Sequence, residues 1–583
     1  MRSALRRATA ARRRRHKSGM PADYAMVPPF PRGGWNAHQP PFPEIAPTTQ
    51  LTTLPSGLRV VSQETHTYMS AIGVVICGGA ADEKAHLGTV GGAQLAEVCA
   101  WRGTRNSSTA DVLKRAEACG AYLHANAQRE QTLYCIDALR DKLEDATQLL
   151  AEACLLGPDL EAPGAMDEVR EGMELAFLDA TQDARVRENI HAAAYGSSPL
   201  GAPLLCPPSQ LHTLSPKTLA DFRALITQPQ SLVVAGAGVG HDELIALAEK
   251  HFEPHLPPST APLAITQSPY VGGCVLAEER APTPSGYAVE ATPQVRIACA
   301  MRAPEGGWHS KDLIACCVLQ TLLGGGDSFS AGGPGKGMYS RLYREVLNRY
   351  HWVEACEAFV SIHDREGLLG IVGACAPASA HHLTEVLMSN LLRLGQQPVE
   401  RSELDRAKNM LKVNVLTQLE SRLVLFEDIA RQVATFGRRQ TLQEMTAAVD
   451  AVTEEDILRI GQYMCAAPPS MAAHGEDLSR VPPYEQVRSW RLRTAARMRP
   501  TTLKKRHSVS VWIWYVDIVS VTIGNTTPHQ FGAKGMPVPP PRPRRLLSDE
   551  WWKDVDEARK YTQTPKPHRN KPMAMAQIGF NGA

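Results

Sequence analysis

Residues 324–337 read Gly-Gly-Gly-Asp-Ser-Phe-Ser-Ala-Gly-Gly-Pro-Gly-Lys-Gly, so half of the fourteen are glycine. Such a backbone is costly to order and sterically open, the combination found where main chain must approach a ligand. Two phosphate-binding chemistries fail on this run. A Walker loop needs glycine five residues before the Gly335-Lys336 pair and Ser or Thr after it, and Ser330 and Gly337 stand in those places. The dinucleotide fingerprint needs a glycine three residues past Gly324-x-Gly326, where this chain has Phe329. Apolar helical patterns flank the run on both sides. A mobile flap that touches an extended peptide through its backbone therefore fits better than a plain linker. The candidate substrate-binding residues are Gly324, Gly325, Gly326, Asp327, Ser328, Phe329, Ser330, Gly332, Gly333, Pro334, Gly335 and Lys336.

Metal chemistry has a weaker footing. Neither H-x-x-E-H nor H-E-x-x-H occurs anywhere in the chain. Thirteen cysteines run from Cys77 to Cys465 without one C-x-x-C, and Cys316-Cys317 is the only close pair. This is the usage of buried thiols in a reducing compartment, neither a disulfide framework nor a zinc ribbon.

Read together with Arg341-Leu342-Tyr343, Leu347-Asn348-Arg349, His351-Trp352, Leu419-Glu420-Ser421-Arg422 and Phe426-Glu427-Asp428-Ile429-Ala430-Arg431-Gln432, the glycine run resembles the α-subunit branch of the pitrilysin-like metallopeptidases. That family includes the mitochondrial processing peptidases and the core proteins of respiratory complex III. The resemblance covers about residues 50–480. It implies a two-domain, clam-like subunit that pairs with a β subunit, or core protein 1. The partner would hold the zinc, and the glycine loop would help to bind basic presequence peptides. The family's zinc helix reads His-x-x-Glu-His. Counted back from Trp101-Arg102-Gly103-Thr104, the matching place here is Gln94-Leu95-Ala96-Glu97-Val98, with both imidazoles gone. Glu174 stands near the place of a downstream carboxylate ligand. A lone Glu beside a neutral amide does not hold Zn²⁺, so no catalytic residue, metal ligand or cofactor is expected in this chain.

Elements must position these residues, and the chain has two halves of similar order. In the first, strands are expected around 58–61, 71–76, 132–138 and 231–239, with helices at 91–102, 109–119, 140–156, 165–195 and 241–252. In the second, strands are expected at 295–301, 353–361 and 367–373, with helices at 310–323, 338–348, 379–396, 400–419, 425–436 and 454–465. The fold class is α+β: two similar domains, each a mostly antiparallel sheet with helices packed on one side. The expected boundaries are a first domain at 48–253, a Pro- and Thr-rich linker at 254–284 and a second domain at 285–480. Flanking extensions lie at 1–47 and 481–583.

With 583 residues, 43% hydrophobic and 21% charged, wholesale disorder is excluded. The net charge of +2 hides an asymmetry: +8 in residues 1–20, +11 in 481–583 and −17 between them. An acidic body argues against nucleic acid as a partner and attracts basic ligands at long range. The arm 1–20 is Arg-rich with Ala, Ser and Thr, and the first acid is Asp23, the pattern of a mitochondrial targeting segment. A basic nuclear or nucleic-acid arm is the alternative. Eight prolines in 21–47 favour an extended arm. The stretch 509–523 is the most apolar in the chain, short for a membrane span, and carries Asp517 near its middle. It reads as a buried strand or as an interfacial or short spanning segment. The resemblance implies one of two functions: a non-catalytic processing-peptidase α subunit on the matrix side of the inner membrane that also serves as a complex III core subunit, or a purely structural core subunit.

Overall fold

The computed structural model describes residues 48–104, 107–258, 263–279, 293–327 and 337–495. Strands β1 (Gln50–Thr53), β2 (Arg59–Gln63), β3 (Met69–Ile76), β4 (Tyr122–Ala127), β5 (Thr132–Leu139) and β6 (Leu232–Ala237) form one sheet, ordered β1-β2-β6-β3-β5-β4. Strands β7 (Gly273–Glu278), β8 (Val295–Arg302), β9 (Gly325–Asp327), β10 (Val353–Ile362), β11 (Gly367–Cys375) and β12 (Ser470–Gly475) form the other, ordered β7-β12-β8-β11-β10-β9. The repeat is visible strand by strand. β2-β6-β3-β5-β4 corresponds to β7-β12-β8-β11-β10, and in each sheet one pair is parallel (β2 with β6, β7 with β12) while the rest are antiparallel. Each half adds one strand of its own: β1 beside β2, and β9, cut from the glycine run, beside β10.

The first half carries helices α1 (Gly92–Val98), α2 (Thr109–Ala118), α3 (Leu143–Ala151), α4 (Ala165–Leu178), α5 (Gln182–Tyr195), α6 (Pro216–Ile226) and α7 (His241–His251). The second carries α8 (Leu313–Leu323), α9 (Ala380–Arg393), α10 (Arg401–Leu419), α11 (Arg422–Phe436), α12 (Leu442–Asp450), α13 (Glu454–Ala466) and α14 (Tyr484–Ala495). Alternation sorts the strand side chains. Ile72, Val74 and Ile76 of β3 join Tyr134 and Ile136 of β5 against the first half's own helices, with Leu95 and Phe222. Ile297, Cys299 and Met301 of β8 do the same with Leu319, Leu383 and Ile460.

The opposite face of each sheet is covered by a helix from the other half. Ala71 and Val75 of β3 and Val233 and Ala235 of β6 pack under Leu425, Phe426, Ile429 and Val433 of α11. Ala298 and Ala300 of β8 and Val372 of β11 pack under Val186, Ile190 and Ala194 of α5. Strands buried on both sides explain the unbroken apolar runs, since no face is left for polar residues. The run expected as one helix over 165–195 breaks at 179–181 for this reason: α4 stays with its own half and α5 crosses over. Thr181 caps the crossing helix, its Oγ1 accepting the Ala184 N–H at 3.2 Å. Thr181→Ala is expected to cost about 1 kcal/mol, read as a lower urea midpoint. The helix expected over 338–348 is shorter, 341–347, with a wide turn closed by Asn348 N–H to Tyr343 carbonyl at 2.9 Å. Strand β7 lies inside the stretch expected as linker.

Ion pairs lock the exchange. Arg422 forks onto Asp137 at 2.8 and 2.7 Å, and buried Arg431, paired with Glu427 of its own helix at 2.6 Å, reaches across to Gln131 at 3.0 Å and Gln128 at 3.1 Å. The β4–β5 and β10–β11 turns meet at the seam, where both Glu130 oxygens accept the Asp364 N–H at 2.9 and 3.1 Å. Burial, then the nearby Asp364 charge, pushes the Glu130 carboxyl up to about 8. A raised folded pKa means that the native state holds the proton more tightly than the unfolded chain. Stability therefore falls as pH rises from the ordinary Glu range toward 8. Glu130→Gln should flatten that limb, and urea midpoints at pH 5.5 and 8.5 would check it.

Candidate functional site

The glycine run begins as a helix end and becomes an edge strand. Gly324 closes α8 with φ +58, and a Cβ there would lie 2.3 Å from Ser340 Cβ. Gly325, at φ +109, runs so close to β10 that a Cβ would sit 2.0 Å from the Cys356 carbonyl oxygen. Gly325, Gly326 and Asp327 pair with Glu357, Cys356 and Ala355. The first two glycines thus have a structural reason of their own, independent of any ligand. The Gly325 N–H donates to Ser340 Oγ at 3.2 Å, so the segment's two arms are clipped together at its base. Ser328, Phe329, Ser330, Gly332, Gly333, Pro334, Gly335 and Lys336 lie outside the described residues.

The returning arm is held firmly. Arg341 makes a buried fork to Glu403 on α10, at 3.1 and 2.6 Å. Gly337 faces Met410 of the same helix, with 3.8 Å between its notional Cβ and Met410 Cε. Tyr339 (72% exposed) is the arm's uncovered aromatic, and α10 itself exposes Val413 (58%) and Leu416. On the other arm, Asp327 and Glu357 form an acidic edge next to Asp183 of α5. Arg187 pairs with Glu357, and Arg296 meets Asp183 at 2.8 Å, so part of that charge is neutralised. Burial outweighs Arg187 and holds the Glu357 carboxyl above the usual range.

The counterpart of the family's zinc helix is α1. Its start is fixed by buried Glu83, which accepts the N–H groups of Gly91 at 3.0 Å and Ala93 at 3.1 Å. Gln94 is buried and its Oε1 accepts the Cys206 N–H at 2.7 Å. Glu97 spends Oε2 on the Ala127 N–H at 2.9 Å, and burial pushes its carboxyl up to about 7. Val98 is apolar and turns to α4 at Gly172, where the Arg102 guanidinium also lies (Cβ distances 3.8 and 2.9 Å). Glu174 is exposed. One amide already bonded to backbone, one valine, a cation against the facing helix and a solvent-facing carboxylate do not make a zinc site. These residues do not fit the metal that the family implies. Half-buried Glu97 instead serves the backbone at the end of β4.

One polar cluster went unread in the sequence. At the seam, His191 Nδ1–H donates to the Arg187 carbonyl at 2.7 Å, which leaves Nε2 to accept from Ser361 Oγ at 2.9 Å. Its neighbour His363 is pushed down to about 3 by burial and the Arg129 charge, so both rings are neutral. Nothing in the local pattern at 191 or 361 signals this pairing across 170 residues.

The chain matches two family models: insulinase (peptidase family M16) over residues 59–208, and the peptidase M16 inactive domain over 213–411. It is 36% identical over 449 residues to a probable mitochondrial-processing peptidase subunit alpha-1 of Arabidopsis thaliana, covering 76% of this chain and 84% of that one. The Solanum tuberosum mitochondrial-processing peptidase subunit alpha is 34% identical (77% and 86% covered), and the Homo sapiens one 31% (76% and 84%). Among solved structures, a chain of "Complex III2 from Candida albicans, Inz-5 bound" shares the fold, with a TM-score of 0.62, 18% identity, and 76% and 99% covered.

Proposed function

This chain belongs to the M16 peptidase family, among relatives of the mitochondrial-processing-peptidase α subunits, and on that premise we propose that it is the non-cutting subunit of a two-chain processing peptidase. In this reading it holds basic presequences for a zinc-bearing β partner in the mitochondrial matrix. The observation that carries the reading is the fate of α1: Gln94 and Val98 stand where the ligand imidazoles would be, and both are committed to packing and backbone bonds.

Three features support capture of a leader. The glycine run keeps Gly332, Gly333 and Gly335 beyond the two glycines that packing requires. Its arms are anchored, one on β10 and one on α10 through Arg341 and Glu403. The returning arm exposes Tyr339, the helix that holds it exposes Val413 and Leu416, and the other arm ends on the acidic Asp327, apolar and acidic groups suited to a basic amphipathic peptide. The substrate-binding residues we assign are those of 324–330 and 332–336. A fluorescent leader peptide titrated into the isolated chain tests this. Saturable binding that weakens with added salt is expected, and no binding at low salt would contradict the assignment.

A second role, as a core subunit of respiratory complex III, is favoured by the segments that lie beyond the matched region. The Pro-rich arm 21–47 and the +11 segment 481–583, with its apolar 509–523 stretch, fit docking on a membrane assembly. The stretch 509–523 lies outside the described residues, among which no helix is long and apolar enough to cross a membrane. Native electrophoresis of detergent-solubilised mitochondria is expected to show the chain co-migrating with cytochromes. Recovery solely in a free two-chain species would remove this role.

A further inference from the structure

Two imidazoles and a carboxylate converge on the surface of the second half, far along the chain from α1. His381, His382 and Glu385 stand in the first turns of α9, and one ligand atom from each lies within 4.8 Å of the others. The spacing i, i+1, i+4 brings both rings over the same carboxylate. Glu385 Oε2 is 4.0 Å from His381 Nδ1 and 3.7 Å from His382 Nδ1. These separations are too long for hydrogen bonds. The three groups face one space without satisfying one another.

The surroundings prepare one of the rings. Gln486, on α14, places its side-chain amide nitrogen 3.2 Å from His381 Nε2, where the amide N–H donates to the ring. A half-turn of this exposed amide would present its oxygen to Nε2–H instead and leave Nδ1 a lone pair turned to Glu385. A ligating histidine is held this way, its second nitrogen engaged by a hydrogen-bond partner. Trp490 stacks edge-on 6.2 Å from the His381 ring, and Trp352 lies 6.4 Å from His382, so indole rings stand beside both imidazoles.

We propose that His381 Nδ1, His382 Nδ1 and the Glu385 carboxylate form a site for a divalent transition ion, zinc foremost, with a fourth position open to water. Two imidazoles and one carboxylate are a donor set for zinc, while magnesium and calcium take oxygen ligands. With ligands at about 2.0–2.1 Å, a tetrahedral ion sets its ligand atoms roughly 3.3 Å apart. The present spacing needs a contraction that exposed side chains (His382 72%, Glu385 49%) make by small rotations. Occupancy would fix His381 against Gln486 and tie α14 to α9. The site is separate from the processing role and does not depend on it.

Equilibrium dialysis of the full chain against zinc, with wild type and His382→Ala compared, tests the site. His382 is largely exposed, so its loss leaves the fold intact, which far-ultraviolet circular dichroism would verify. One zinc per chain is expected, with affinity falling about tenfold or more in His382→Ala and in Glu385→Gln. Gln94→Ala should bind as wild type does. Copper(II) should quench tryptophan fluorescence in wild type, reversibly by zinc, and less in Trp490→Phe. Equal zinc binding by wild type and His382→Ala, or none by wild type, overturns the proposal.

Discussion

Deleting residues 326–335 is expected to lower leader cleavage by the reconstituted α–β pair by about 100-fold or more, the scale of losing a substrate-positioning element. The β chain, which would carry the zinc and the general base, is untouched in this experiment, so the loss reports capture alone. The deletion should be well tolerated by the fold. Gly324 still ends α8, Gly325 still donates to Ser340, and the Arg341–Glu403 fork still holds the returning arm. The unfolding midpoint of the variant should therefore stay close to that of wild type. Leader affinity of the isolated chain should fall in parallel with cleavage. Unchanged cleavage would leave the glycine run without a part in processing.

Phe426→Ala is expected to destabilise the chain by about 3–5 kcal/mol, the cost of emptying a large aromatic site in a core. Phe426 is 1% exposed and lies under the first sheet although it belongs to the second half. Gly73 on β3 makes the room: a Cβ there would come within 2.4 Å of Phe426 Cζ. On the second sheet Gly370 opens space for Phe359 in the same way, at 2.6 Å. Because α11 carries the exchange, losing Phe426 should loosen the join between halves as well as one core. Urea unfolding followed by tryptophan fluorescence, with limited proteolysis near 420, would show a lower midpoint and faster cutting. A change below about 1 kcal/mol would mean that the exchange contributes little to stability.

Much of the fold is legible from short range. The runs 71–76 and 231–239, without a charged residue and apolar from Leu232 on in the second, become β3 and β6, the centre of the first sheet. The ordering of the two halves gives the α+β class and the repeat. What escapes has identifiable reasons. β4 (Tyr-Leu-His-Ala-Asn-Ala), β12 (Ser-Met-Ala-Ala-His-Gly) and β9 (Gly-Gly-Asp) lack β-branched residues altogether and exist because neighbouring strands recruit them. Two missed helices did carry local signals: Ser215 and Thr218 cap α6, and Thr441 and Glu444 cap α12. The exchange of α5 and α11 has no local signature, since an amphipathic helix does not say which sheet it will cover. Within the candidate site, the loss of both imidazoles is plain at Gln94 and Val98. The structural use of Gly324 and Gly325 is visible only once Ser340 and Cys356 are placed beside them.

A chain that grips leaders and leaves the cut to its partner should show both in one incubation: the isolated chain, a basic leader peptide and added zinc, followed by mass spectrometry. Bound, intact peptide is expected, cleaved only after the β chain is supplied. Cleavage by the isolated chain, abolished by Glu97→Gln, would overturn the proposed division of labour.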